Sequence, residues 1–193
     1  MVTDTRLDVV ALKEWAAVAH ALLDGRQTLL LRKGGIHERT FDAAAADGDP
    51  FVLFPTVAHS HVERTRPEHR DLLAAAAADS TDDEITVRCG LRLVDAVAVA
   101  APERLPELSD LHIWTDASVQ EDRVAFRPKH PLWALVVEAV ALAQPVTLPR
   151  EDRFGGCRSW LELPVAWDGH SGQPVHRRER LAADAERVRA TVG

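Results

Sequence analysis

Two short segments set paired glycines against a cation. Arg32-Lys33-Gly34-Gly35 puts two cations ahead of a turn. Outward backbone amides there could hold a phosphate together with charge-assisted hydrogen bonds. Gly155-Gly156-Cys157-Arg158-Ser159-Trp160 lets a ligand approach the backbone and offers donors from Arg158 and Ser159. It ends on an indole against which a base could stack. Neither segment has the GxxxxGK[ST] spacing of a Walker loop. The plainer alternatives are a hairpin turn with solvated charges and a bulged turn with Trp160 as a core anchor. Trp114, beside His112 and Asp116, is the indole expected to edge a pocket, whereas Trp15 and Trp133 read as core.

Other chemistries are poorly served. His59, His61 and Glu63 would share one face of an extended chain and could ligate a metal. Pro55 and the nearby Thr65-Arg66-Pro67-Glu68 box predict a loop instead, so neither a metal nor another cofactor is expected. Cys157 has no histidine at a telling spacing to activate it, and Cys89 falls on an apolar strand face. No Glu-x-Lys or Asp-x-Lys pair occurs, which removes a PD-(D/E)xK nuclease from consideration. Glu138 and Asp95, the carboxylates set in apolar strands, are expected to meet arginines.

The elements that must carry these residues follow from periodicity. Leu12, Trp15, Val18, Ala19, Leu22 and Leu23 share one face at 100° per residue, which predicts a helix from Val9 to Asp24, capped by Asp8 and ended at Gly25. Strands are predicted at Gln27 to Leu31, Ile36 to Phe41 and Phe51 to Thr56, with an exposed loop from Asp42 to Pro50. The Thr65 box, with proline in the first turn, predicts a helix reaching Asp79. From Glu84 to Ala100 strict alternation of Ile85, Val87, Cys89, Leu91 and Leu93 predicts a long strand, bulged or bent at Gly90. A short helix or turn at Pro102 to Leu108 and a short strand at Leu111 to Thr115 come next. Leu132 to Leu142 reads as a central strand, continued or flanked by Pro145 to Leu148, and Ser159 to Leu163 as the last strand. Leu181, Ala185, Val188 and Val192 form a narrow stripe on a C-terminal helix that could dock on the domain or on a partner. Strands without regular crossover helices predict an α+β fold with a curved, mostly antiparallel sheet or small β-barrel and flanking helices. Residues 1–165 form the expected domain, with 166–193 appended to it.

The chain of 193 residues carries 23 Lys and Arg against 30 Asp and Glu, a net charge of -7. That balance argues against coating nucleic acid through bulk charge, and leaves room for a local basic pocket. No apolar run approaches a membrane span and the start does not resemble a signal peptide, so a cytoplasmic protein that does not engage membrane is expected.

Four stretches in order, ALKEW (Ala11 to Trp15), LLLRKGGI (Leu29 to Ile36), VLFPTVAH (Val52 to His59) and GGCRSWLEL (Gly155 to Leu163), resemble domain-of-unknown-function family 1802 over about residues 10–165. That resemblance implies a restriction or defence setting. The run from Leu23-Asp24-Gly25 through Arg26-Gln27-Thr28 to Arg32 resembles the opening of ASCH and other PUA-like domains, small barrels that bind RNA or modified bases. Leu135 to Pro149 resembles their EVE branch. The ASCH-type pattern departs at its lysine and glutamate, where this chain has Gln27 and Leu30. The expected function is recognition of nucleic acid or a nucleotide-like ligand. Alternatives are a small hydrolase acting on nucleosides or nucleic acid, and a scaffold that binds a protein partner through its C-terminal helix. Protein purified without added metal should carry less than one equivalent of zinc or iron by elemental analysis. A full equivalent that survives dialysis and is lost in His59→Ala would contradict this.

Overall fold

The computed structural model describes residues 8–33, 50–156 and 159–193. Among these residues six strands form one sheet: β1 (Val9–Trp15), β2 (Leu29–Lys33), β3 (Phe51–Thr56), β4 (Glu84–Ala98), β5 (Leu132–Pro149) and β6 (Trp160–Leu163), in the order β2-β5-β4-β3-β1-β6. Only β1 and β3 run parallel; the other pairings are antiparallel. The helices are α1 (Ala16–Leu23), α2 (His61–Arg64), α3 (Leu72–Ala77), α4 (Asp116–Val119) and α5 (Arg178–Val192). The expected α+β fold, a curved and mostly antiparallel sheet with flanking helices, is the one that forms. The predicted strand at Ile36 to Phe41 and nearly all of the loop from Asp42 to Pro50 lie outside the described residues.

The long β4–β5 ladder supplies the curvature. Its register shifts between Val87 and Cys89 and again between Leu93 and Asp95, and each such irregularity bends a strand and increases its twist. The sheet stays open, yet it rolls far enough for Arg32, on the edge strand β2, to donate to the carbonyl oxygen of Lys13 on β1 at 3.2 Å. Gly90 does not mark either shift. It leaves space for the Trp167 ring, which a Cβ there would approach to 2.6 Å.

The first predicted helix is corrected in its N-terminal half. Val9–Trp15 is a strand because it has neighbours on both sides, β3 through Ala11↔Val52 to Trp15↔Thr56 and β6 through Val9↔Leu163 to Leu12↔Trp160. Ala11 packs into one apolar cluster and Leu12 into the other, so both faces of β1 are covered. Helix begins at Ala16, past the last paired residue. It ends as expected at Gly25, whose φ of 75° allows its N–H to reach Leu22 O at 3.2 Å and the Arg26 N–H to reach Ala21 O at 2.8 Å.

Thr65 does not cap a helix. Its backbone forms an antiparallel bridge with Trp114, leaving a 3₁₀ turn at Pro67–His69 before α3. The predicted strand at Leu111 to Thr115 is reduced to that bridge, preceded by a 3₁₀ helix over Pro102–Leu111. The stripe Leu181, Ala185, Val188 and Val192 of α5 is buried in the main core. Buried Asp184, on the same helix, accepts from the Thr28 hydroxyl at 3.0 Å. Among the described residues no helix is long and apolar enough to cross a membrane.

The segment after β6 lies tightly on β5. Gly172 adopts φ 105°, and a Cβ there would stand 2.3 Å from Val140 Cγ1. Gly172→Ala should therefore destabilise the protein by about 1–3 kcal/mol. Urea unfolding checks it, and an unchanged midpoint would contradict the packing described.

Candidate nucleic-acid interface

At one end of the sheet the last residues of β1, Lys13-Glu14-Trp15, meet the last residues of β2, Arg32-Lys33. A turn of π-helix over Gln120–Val124, continuing α4, closes over them. Thr115 starts α4 by accepting the Ser118 N–H on its side chain at 3.1 Å. The turn then presents Arg123 inward.

Glu14 is the centre of this end. Its side chain is 1% exposed, and Oε2 accepts from Arg32 Nη1 at 3.2 Å. Oε1 accepts the Trp15 N–H at 2.9 Å and stands 3.7 Å from Arg123 Nη2. Burial pulls the Arg32 guanidinium down in pKa while the Glu14 charge holds it up. The Arg123 guanidinium lies over two indoles, 5.4 Å from the Trp114 ring and 6.0 Å from Trp15. Trp15 stacks on His61 at 3.9 Å and meets the Trp114 ring edge-on at 6.2 Å. Burial lowers the His61 pKa to about 4, so its imidazole is neutral at pH 7.

Among the described residues the charges here do not balance: two guanidiniums face one carboxylate, and buried Nε of Arg123 has no hydrogen-bond partner. Asp122, the neighbouring acid, is engaged by Arg64 at 3.2 Å and by the Ser118 hydroxyl at 2.9 Å. Lys33 Nζ adds a further cation and donates to Val124 O at 3.1 Å.

Of the expected ligand residues, Arg32, Lys33 and Trp114 meet here. Lys13 touches both glycine segments: its carbonyl accepts from Arg32, and its N–H donates to Ser159 O at 2.8 Å. Its ammonium donates to Gly156 O at 3.1 Å and Gly155 O at 3.3 Å. Gly34, Gly35, Cys157 and Arg158 lie outside the described residues. Trp114 is 1% exposed, so its ring backs Arg123 and does not offer a free stacking face. Trp160 pairs with Leu12 across β6 and β1, and its ring meets Phe51 edge-on at 5.5 Å. Cys89 is buried, which pushes its thiol up to about 12. Glu138 and Asp95 meet Arg92 at 2.5 Å and Arg189 at 2.9 Å. His61 belongs to α2 and to the stack on Trp15, while His59 lines an adjoining cleft of about 280 Å³. Among the described residues no group of three metal-ligating side chains forms.

Glu14, Arg123 and the loop after Val124 were not singled out by sequence reasoning. A signal was present. From Arg123 to Val137 the chain has two arginines, a lysine and a histidine and no acid, within a protein of net charge -7.

The family described as Domain of unknown function (DUF1802) matches residues 11–187. The crystal structure of ASCH from Zymomonas mobilis is similar at 12% identity and TM-score 0.44, over 95% of each chain. A serine-to-alanine mutant of that Zymomonas mobilis protein matches at the same identity and TM-score, over 95% of this chain and 96% of its own. No curated protein matches the sequence.

Removing the buried carboxylate leaves two guanidiniums facing each other. Glu14→Gln should cost about 3–5 kcal/mol of stability by urea unfolding, and a loss below about 1 kcal/mol would contradict the central ion cluster. The His61 site also sets an acid dependence. Its folded pKa lies below the ordinary 6.5, so the unfolded chain takes up the proton first. Its contribution is full above pH 6.5 and is lost as pH falls toward 4. By pH 5 the loss should be about 2 kcal/mol, and His61→Phe should remove that part of the slope. An unchanged slope in the variant would assign the acid sensitivity elsewhere.

Proposed function

Because the chain belongs to the DUF1802 family, whose description assigns no activity, we propose from the site itself that it recognises nucleic acid or a nucleotide-like ligand. The observation that carries this is the excess of cation at the Glu14 end. Among the described residues Arg32 and Arg123 share one carboxylate and Lys33 stands beside them, bonded to the carbonyl next to Arg123, on a chain that is acidic as a whole. A phosphate at this end would meet preorganised donors and balance the local charge. The net charge of -7 restricts binding to this patch, so contacts to the phosphate backbone are few. A restriction or other nucleic-acid-processing setting fits such a recognition module.

The hydrolase alternative is less favoured by the residues. Gln27 stands at the position of the ASCH-type lysine. It is buried, donates to Leu29 O at 2.8 Å and accepts from the Ile113 N–H at 3.3 Å, so it has no reach to a substrate. The scaffold alternative loses its apolar stripe, since that face of α5 is covered by the protein's own core.

Fluorescence anisotropy with labelled oligonucleotides tests the proposal. Binding should be specific to the intact fold and weaken only shallowly as salt rises from 50 to 200 mM, in keeping with about two or three phosphate contacts. Lys33→Ala and Arg158→Ala should each weaken it about tenfold or more, the loss of one charge-assisted hydrogen bond, while leaving the melting temperature in place. Absence of binding to every oligonucleotide, or normal binding by both variants, would overturn the proposal.

A further inference from the structure

The loop from Ala125 to Pro131 leaves and rejoins the domain at a single residue. Val124 O, just before it, accepts from Lys33 Nζ at 3.1 Å, and Leu132, just after it, pairs with Lys33 in the β2–β5 ladder. Both ends are therefore fixed beside the Glu14 cluster, and all residues from Ala125 to Pro131 are exposed.

Within it stands Phe126, half exposed and the one exposed phenyl or indole ring among the described residues. A phenyl ring left in water forgoes the stabilisation that burial gives. The Arg127 guanidinium lies 5.2 Å from the ring centroid, as a cation over a π face. Arg127 has a φ of 44°, the one positive value at a non-glycine residue among those described. Left-handed backbone at an arginine is disfavoured, and such conformations collect at ligand-binding segments. The turn is closed by the His130 N–H donating to Arg127 O at 2.9 Å. Pro128 and Pro131 fix φ on either side of Lys129 and His130, so little backbone freedom remains to be lost on binding. Lys129 and His130 complete a tip that has no acidic residue.

Resting on the nucleic-acid reading of the Glu14 end, we propose that this loop is a single-strand contact. Phe126 stacks an unpaired base, while Arg127 and Lys129 hold the adjoining phosphates. An aromatic face flanked by cations is the arrangement that single-stranded nucleic acid meets on sequence-tolerant platforms. A duplex keeps its base faces stacked inside and offers the loop its phosphates alone. An acidic peptide would use the cations but would gain nothing particular from Phe126.

The test uses the full chain and four probes: labelled oligo(dT), labelled oligo(U), a blunt DNA duplex of the same length, and a poly-glutamate peptide. One or both single strands should bind more tightly than the duplex and the peptide. Phe126→Ala should weaken single-strand binding about tenfold without changing duplex binding or the melting temperature, and Phe126→Trp should restore it. The preference between oligo(dT) and oligo(U) separates DNA from RNA as the source of the strand. Single strands bound equally by Phe126→Ala and wild type would overturn this inference and leave the phosphate site standing. Equal loss on duplex and single strand, or tighter binding of the peptide, would also overturn it. If no nucleic acid binds the wild type, the reading beneath it fails as well.

Discussion

A buried carboxylate cannot remain charged without partners, and Glu14 is the buried acid on which one end of this protein is assembled. Its partners come from distant parts of the chain: Arg32 from the edge strand β2, and Arg123 from the π-helical turn after α4. Desolvating the three groups is costly, and their mutual attraction offsets that cost only when the geometry is held. The rolled sheet holds it, by bringing β2 close enough to β1 for Arg32 to reach both Glu14 and the Lys13 carbonyl. Trp15, His61 and Trp114 pack around the ions and exclude water from them.

The same cluster joins the fold to the proposed function. One negative charge organises two guanidiniums, so among the described residues this end carries excess cation although the protein is acidic. Lys33 then ties the cluster to the exposed loop that follows, through Val124 on one side and Leu132 on the other. Midway along the β4–β5 ladder, by contrast, Arg92 bonds to Glu138 and to the carbonyls of Gly169 and His170, where a cleft of about 380 Å³ opens. Among the described residues the two places thus differ in how far their cations are neutralised.

Much of the sheet could be read from residue order. Ile85, Val87, Cys89 and Leu91 alternate, and β4 follows that alternation; Leu132 onward is apolar on both faces, and the inner strand β5 buries Ala134, Leu135, Val136 and Val137 in turn. The stripe on α5 was equally plain. Val9–Trp15 was not, because its apolar residues satisfy a helical period as well as a strand period, and only pairing with β3 and β6 decides between them. That error hid the site. On a helix Glu14 falls near the polar border, whereas on a strand covered from both sides it points into the protein. Arg32 and Lys33 were recognisable beside their glycines, but Arg123 owes its inward direction to a π-helical turn that no simple periodicity announces.

Nucleic acid held at the Glu14 end, as proposed, would lie within reach of a crosslinker there. Photo-crosslinking of the intact chain to a single-stranded oligonucleotide carrying 4-thiouridine, followed by peptide mapping, locates it. Adducts are expected on the peptide spanning Arg123 to Pro131 and on the one containing Lys33. Adducts confined to the cleft lined by Arg92 and Arg178, or none above a denatured control, would overturn the proposal.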